Sequence, residues 1–511
     1  MNEEKTLEKH LEKYIENLFS GSLLNFIGMI MKRFTGYLYQ ILIVRLLGTF
    51  IYGIYTLSYT LINIVLRFSQ LGLDRGGIRY IAVLKEDEKY GLIKKLSLFL
   101  FFLSFFSGLL WGIFTFLTSS FFSQIYKKPE LREALIYFSF LVPFYTSLLV
   151  MAYSSKGFNK MEYYVLSEDI LRPIFQFLFL FLLFYFLGKK IITAILPWTL
   201  SSLLGLLLII FFFVKELKGK DTDSKENFNY KEVVTFSLPV TIISILYFLF
   251  AWTDMVLLGF FRKAEEIGIY NGIARTAEMA NLFLLSINEV FSPLVSQLSY
   301  KKDLKSLKNI YEIIIRWTLY FSIPLYIFFL FSGKEFLYII FGKEFISGFI
   351  PMIILLTGLM IQNLIGEVAM TLTMSGYQKE WAFINFLGLF INVILGLLFI
   401  PKFGILGASL STSLSLVILR TMGLFGVKKF LKFWGLSKRV FKPFLQGIFT
   451  LLIILFLNTF FISKVNFNIL LKVILNFFLP YLFYLLLFFV LKPEKEEIFL
   501  INKLRSFIKR G

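Results

Sequence analysis

The chain predicts an all-α polytopic membrane protein of about 14 transmembrane helices, arranged as two six-helix lobes in a pseudo-two-fold repeat plus two extra C-terminal helices. Three observations predict it: long apolar stretches from Asn17 to Leu491, basic residues crowded into alternate connections, and internal echoes at a near-constant offset. With 57% hydrophobic and 19% aromatic residues, including 65 Phe among 511 residues, a soluble core has no room for the apolar content. The mean hydropathy of +0.75 belongs to the polytopic class, in which each helical crossing of the bilayer takes about 20 apolar residues.

The elements follow in order. Residues 1–17 form a polar leader with Leu7, Leu11, Ile15 and Leu18 at helical spacing. It reads either as a cytoplasmic amphipathic helix at the lipid interface or as a polar tail. Its mixture of Glu and Lys and the lack of a small-residue cleavage site do not match a secretory signal. The expected spans are 18–43, 50–73, 96–121, 133–153, 166–187, 191–214, 232–260, 267–295, 311–332, 347–371, 382–400, 405–427, 443–463 and 469–491. They group as an N-terminal lobe over 18–214, a linker over 215–231 and a C-terminal lobe over 232–427. A loop over 428–442, helices 13 and 14 over 443–491, and a basic tail over 492–511 complete the chain.

Of the 53 Lys and Arg, 33 fall in the even-numbered connections and the tails, 12 in the odd-numbered connections and 8 within spans. The excess of positive charge on one side places both termini in the cytoplasm of a cell membrane. The turns on the opposite side are short: Gly48-Thr49, Gly188-Lys189-Lys190 and Pro401-Lys402-Phe403-Gly404, while the inner segments richest in Lys and Arg are Arg75 to Lys95, Lys215 to Lys231, Lys428 to Lys442 and Lys492 to Arg510. No connection is long enough for a soluble domain.

The chain has no Cys, and its single His is His10, so neither thiolate nor His-centred catalysis is expected, nor a metal site. There is no Gly-x4-Gly-Lys-Ser/Thr loop for a nucleotide, and no cofactor is expected. The net charge of +20 is spread over loops, which points to anionic membrane lipids and not to nucleic acid.

Val44-Arg45-Leu46-Leu47-Gly48 with Tyr52-Gly53-Ile54-Tyr55 is echoed by Val256-Leu257-Leu258-Gly259 with Ile267-Gly268-Ile269-Tyr270, at offsets of 211 and 215. Thr193-Ala194 is echoed by Gly407-Ala408, the alanines being 214 apart. The repeat unit is six helices. An even number of crossings preserves orientation, so the halves should be related by an axis along the membrane normal and form a central cavity.

Arg45-Leu46-Leu47-Gly48, Tyr52-Gly53-Ile54-Tyr55 and the run Phe68-Ser69-Gln70-Leu71-Gly72-Leu73-Asp74-Arg75-Gly76-Gly77-Ile78-Arg79-Tyr80-Ile81-Ala82 carry a resemblance. The sequence resembles the polysaccharide flippases of the multidrug/oligosaccharidyl-lipid/polysaccharide exporter superfamily, especially the O-antigen type. The resemblance implies transfer of a polyprenyl-pyrophosphate-linked saccharide from the inner to the outer leaflet by alternating access, through a hydrophilic cavity between two lobes. It also implies H⁺ or Na⁺ as a coupling ion and polysaccharide assembly proteins as partners. The lipid II flippases of the same superfamily are similar in their fourteen-helix plan, whose last two helices help to form a groove for the lipid tail. Tyr52-Gly53-Ile54-Tyr55 stands where they carry an Asp-Ala-Phe element. The drug-exporter branch carries an acid in the first helix, and none lies between Gly21 and Leu47.

Charges inside a bilayer are costly, about 2.5–3.5 kcal/mol each on insertion scales, and mark cavities or ion pairs. An anionic diphosphate calls for cations, Arg above all for its forked donors. The candidate substrate-binding residues are Lys32 and Arg33 in the first helix, Arg67 in the second, Arg75 and Arg79 at its inner mouth, and Arg275 in the eighth. The candidate ion-coupling or gating residues are Asp254, Glu278, Glu289, Glu367 and Arg420. Arg275 and Glu278, three apart on one helix, can pair. With Asp254 they form either a structural ion-pair cluster or a switch, and Glu367 and Arg420 are placed to pair with each other. Arg172, Arg316 and Lys472 lie near span ends and are expected to snorkel. Tyr37, Tyr39, Asn271 and Asn281 are candidates for sugar hydroxyls. Gly53, Gly72, Gly76, Gly77, Gly268 and Gly272 fit close helix packing. Lipid II transfer and cation-coupled multidrug antiport remain open as alternatives. A membrane glycosyltransferase or polymerase would need a large catalytic loop, and a non-enzymatic transporter is the expectation.

Overall fold

The structure, a computed structural model, describes residues 28, 30–220, 228–435, 438–462, 468–491, 493, 494, 497 and 498. Every regular element among them is helical. The helices are α1 (30–47), α2 (Thr49–Gln70), α3 (Leu73–Glu86), α4 (Tyr90–Ile125), α5 (Pro129–Ser139), α6 (Leu141–Ser154), α7 (Met161–Tyr164), α8 (Arg172–Leu187), α9 (Ile191–Leu217) and α10 (Tyr230–Phe261). They continue as α11 (Ala264–Glu278), α12 (Leu282–Tyr300), α13 (Leu304–Ile340), α14 (Phe349–Ile365), α15 (Val368–Met374), α16 (Gln378–Phe403), α17 (Ile405–Leu431), α18 (Phe441–Leu457) and α19 (Ile469–Val490). Among the described residues ten helices are long and apolar enough to cross a membrane. The pair Pro129–Ser139 and Leu141–Phe158, bent by 48°, brings the number to eleven. The leader and the start of the first expected span lie outside the described residues, as do some side chains of α10 and about half of those of α12.

Glycine with positive φ breaks the helical run where the sequence expects turns. Gly48 (φ 94°) separates α1 from α2, and Gly188 (φ 65°) separates α8 from α9. No Cβ is present to oppose that backbone. In the expected Pro401–Gly404 turn, only Gly404 (φ 59°) leaves the helix, since α16 runs through Phe403. Within the basic inner segment Arg75 to Lys95, α3 stays helical to Glu86 and α4 starts at Tyr90. Hydropathy reports the lipid-facing stretch and not the helix, so α4 and α13, at 36 and 37 residues, both overrun their apolar windows. The bend before α6 has a local cause: Pro143 has no N–H for the Ser139 carbonyl one turn back. Asp303 caps α13 by accepting from the Ser306 amide at 3.1 Å, and the Ser306 hydroxyl, together with that amide, holds its carboxyl below the usual range.

The chain divides into two compact units. One takes in the chain up to Arg275 together with Ala382–Ser415. In it α4, α6, α8 and α9 pack as neighbours, and α10 runs along α2 and α3. Glycines make these contacts close: a Cβ on Gly72 would strike the Ser237 carbonyl, one on Gly53 the Ala264 carbonyl, and one on Gly268 would sit 2.9 Å from the Thr49 carbonyl. At these positions packing is what the small residues serve.

The other unit comprises Thr276–Trp381 and Leu416 onward. Its centre is α13, against which α12, α14, α18 and α19 pack. Helices α18 and α19 are tied there by buried amides: Asn476 donates to Ser332 at 2.8 Å, and Asn458 donates to Asn476 at 2.9 Å.

Candidate functional site

The most concentrated polar group of the first unit sits between α1, α6, α8 and α9. Val165–Leu171 is π-helical, and Pro173 explains why the α-helical ladder opens there. Proline offers no N–H to the Asp169 carbonyl and crowds it, so the preceding turn widens. The widened turn carries Glu168 and Asp169, both buried. Glu168, with no exposed surface, accepts from Lys32 Nζ at 2.9 Å, Tyr145 Oη at 3.0 Å and Arg172 Nε at 2.8 Å. Asp169 lies 3.3 Å from the same Lys32 Nζ. Gly28 lets α1 come close, since a Cβ there would lie 3.0 Å from Asp169 Oδ2. Arg172 donates onward to Gln176 at 3.1 Å, and its guanidinium lies 4.6 Å from the centre of the Trp198 ring. Two cations and two carboxylates thus balance in one cluster.

One expectation is corrected. Arg172 does not snorkel: it is 3% exposed and locked to Glu168. Lys32 is held by two acids. Those acids were missed, although the spacing Glu168-Asp169-x-x-Arg172 inside an apolar stretch was the signal. Arg33, the next residue on α1, is exposed.

A second group runs along α2 and α10. Arg67 is half-buried, its guanidinium 5.9 Å from the Phe248 ring centre, and Arg275 lies 4.5 Å over Trp252. Asp254 is buried and met by hydroxyls. Tyr270 donates at 2.6 Å, Thr412 at 3.1 Å and the Met255 amide at 2.8 Å. At the far end of α2, Arg75 and Arg79 are exposed. Arg75 is 3.9 Å from Asp74, and Arg79 lies 4.5 Å over the Phe236 ring. Glu278, the last residue of α11, is exposed, and the Glu289 side chain lies outside the described residues. Two of the candidates for sugar hydroxyls have packing partners instead. Tyr39 is buried and donates to the Ala194 carbonyl at 3.1 Å, while the Asn271 amide donates to Tyr52 Oη at 2.7 Å.

In the second unit Gly366 (φ 95°) breaks the chain between α14 and α15 and leaves Glu367 at the start of α15. Arg420 of α17 reaches Glu367 at 3.3 Å. Arg316, expected to snorkel, is 1% exposed and pairs with Glu497 at 3.2 Å. Burial inside the helix bundle, with a carboxylate supplied from the segment after α19, removes any need to reach the interface. Among the described residues no group of three or more His, Cys, Asp or Glu has a metal-binding arrangement.

Charge inside a helical bundle is kept where it is paired or faces a cavity, and here Lys32, Glu168, Asp169 and Arg172 are paired. The model of the family described as "Polysaccharide biosynthesis protein" matches residues 16–299, more than half of the chain. The chain belongs to that family. Its relatives include the uncharacterized membrane protein MJ1068 of Methanocaldococcus jannaschii, 22% identical over 87% of this chain and 90% of that protein. The probable low-salt glycan biosynthesis flippase Agl15 of Haloferax volcanii is 26% identical over 37% of this chain and 40% of its own length. The capsular polysaccharide biosynthesis protein CapF of Staphylococcus aureus is 25% identical over 47% of this chain and 60% of its own. Among solved structures, the lipid II flippase MurJ in its inward closed conformation superposes with a TM-score of 0.69. It has 16% identity and covers 92% of this chain and 99% of its own. An inward-facing multidrug resistance transporter of the MATE family gives a TM-score of 0.67 at 14% identity, over 78% and 94%. This family member therefore has the fold of a multi-pass flippase or transporter.

Proposed function

We propose that the protein moves a polyprenyl-pyrophosphate-linked oligosaccharide from the inner to the outer leaflet of the cell membrane by alternating access, in the service of polysaccharide biosynthesis. The observation that carries this reading is the set of arginines kept at or near membrane depth in the first unit, in a chain of the polysaccharide biosynthesis family. Arg33, Arg67, Arg75, Arg79 and Arg275 are the cations assigned to the diphosphate. A desolvated diphosphate needs charge-assisted donors, and forked guanidinium groups supply them. In this reading the chain makes fourteen crossings with both termini cytoplasmic, as two six-helix lobes plus α18 and α19.

Lys32 serves the exchange between substrate and ion. When a diphosphate oxygen draws Lys32 away, Asp169 loses the cation 3.3 Å from it, and Glu168 keeps Arg172. An unpaired buried carboxylate is costly, so H⁺ or Na⁺ is its replacement partner. Asp254, Glu278, Glu289 and the Glu367–Arg420 pair are assigned to gating. No residue is assigned a catalytic role. The lipid II and multidrug readings draw on likeness of fold alone.

The test is reconstitution into liposomes loaded with a fluorescent lipid-linked oligosaccharide, with a membrane-impermeant lectin reporting the outer leaflet. Lectin-accessible label should rise with the protein present and stay flat with Arg33→Ala or Arg275→Gln. Equal rates in protein-free liposomes would sink the proposal.

A further inference from the structure

Five arginines of the first unit, Arg67, Arg75, Arg79, Arg172 and Arg275, lie against aromatic rings. On α2, Tyr59, Asn63 and Arg67 recur every fourth residue, and all three are half-buried. Opposite them on α10 are Phe248 and Trp252, one turn apart, with ring centres 5.5 Å apart and planes within 16°. Tyr59 joins the two helices, its ring centre 6.1 Å from Trp252 and 5.3 Å from Trp198. Arg275 covers Trp252, and Arg67 lies toward Phe248. At about 1.5 Å per residue, Tyr59 and Trp252 lie roughly 17 and 14 Å from the Gly48 and Phe261 ends of their helices. That depth is near the middle of a bilayer core about 30 Å thick.

A lipid-facing aromatic surface does not account for this strip. Hydrocarbon would punish Asn63 and Arg275 inside the span, whereas a wet passage accommodates the cation, the amide and the tyrosine hydroxyl. Ring faces are electron-rich, and the C–H faces of pyranoses are weakly positive and apolar. A sugar therefore lies flat on an aromatic face while its hydroxyls turn outward to polar neighbours.

The geometry points to a saccharide-binding platform formed by Trp252, Tyr59 and Phe248, uncovered by the same diphosphate that the arginines bind. The inference rests on the flippase reading and deepens it. In the structure the Arg275 guanidinium occupies the Trp252 face at 4.5 Å. A diphosphate that draws Arg275 off the ring exposes that face to the sugar attached to it. Recognition of the headgroup then comes in two coupled parts: charge selects the linkage, and the bared ring selects for a carbohydrate beyond it.

The test measures binding of three short probes to the full chain in nanodiscs: farnesyl diphosphate carrying one N-acetylglucosamine, farnesyl diphosphate itself, and farnesol. Trp252→Leu should weaken the sugar-bearing probe about tenfold, in the range seen for rings stacked on aromatic side chains, and leave farnesyl diphosphate unchanged. Tyr59→Leu should act in the same direction, Trp252→Phe should retain most of the affinity, and Arg275→Gln should weaken both diphosphates. Equal loss for both diphosphates with Trp252→Leu would reduce the ring to a support for Arg275 and overturn the platform, as would no loss for either. If the unmodified protein binds neither diphosphate better than farnesol, the flippase reading itself fails.

Discussion

Replacing Glu168 with glutamine removes one negative charge and almost no volume from the buried cluster. Glu168 Oε1 accepts from Lys32 and Tyr145, and Oε2 accepts from Arg172. A glutamine has only one accepting oxygen. If that oxygen faces Lys32, the amide NH₂ opposes the Arg172 Nε–H; turned over, it opposes Lys32. Either way a cation loses its Glu168 oxygen, leaving Arg172 with only Gln176 or Lys32 with only Asp169. Breaking a buried pair on one side costs about 3–5 kcal/mol, and the retained hydrogen bonds place Glu168→Gln near the lower end, about 3 kcal/mol. The assay is reversible unfolding in mixed micelles, run as a double-mutant cycle with Arg172→Met. In the Glu168→Gln background Arg172→Met should cost at least ~1 kcal/mol less than in the parent, because the stranded guanidinium is then gone. A loss below ~1 kcal/mol for Glu168→Gln, together with strict additivity in the cycle, would show that the cluster holds water and bears little of the stability.

Arg33→Ala should leave expression and melting temperature unchanged and abolish translocation in the liposome assay; normal rates would remove Arg33 from the substrate path. Glu497→Gln should destabilise the second unit by about 3 kcal/mol, since Arg316 is then left buried beside a neutral partner. Arg316→Met with Glu497→Leu should recover most of that loss, and failure to recover would mean that the pair is not the cause. Exchanging the charges as Glu367→Arg with Arg420→Glu should restore thermal stability lost in either single variant. If it restores transport as well, the pair is structural and not part of gating.

The all-helical membrane architecture, the glycine turns and the embedded charges were legible in the sequence because lipid exposure and turn chemistry are written locally. Gly48 and Gly188 break helices where the pattern placed turns. Helix lengths were not legible, since the ends of α3, α4 and α13 run on through polar residues that hydropathy treats as loops. The site was half legible. Lys32, Arg67, Arg275 and Asp254 stood out as charges within apolar runs, but their partners depend on three-dimensional packing. Glu168 and Asp169 lie near the edge of an apolar window, and only the widened turn before Pro173 directs them to Lys32. Arg172 and Arg316 looked like interfacial residues by position, and burial reverses that reading. Asp254 seemed to call for Arg275, whereas Tyr270 and Thr412, from two further helices, supply its hydrogen bonds.

The two echoing segments, Tyr52-Gly53-Ile54-Tyr55 and Ile267-Gly268-Ile269-Tyr270, meet backbone to backbone, with Gly268 against the Thr49 carbonyl and the Gly53 amide. Neither copy is at liberty to drift alone, since a methyl group gained by one would have to be absorbed by the other. Two matched segments held in contact in this way constrain each other's divergence. An engineer recombining halves from different relatives should therefore exchange both turns together.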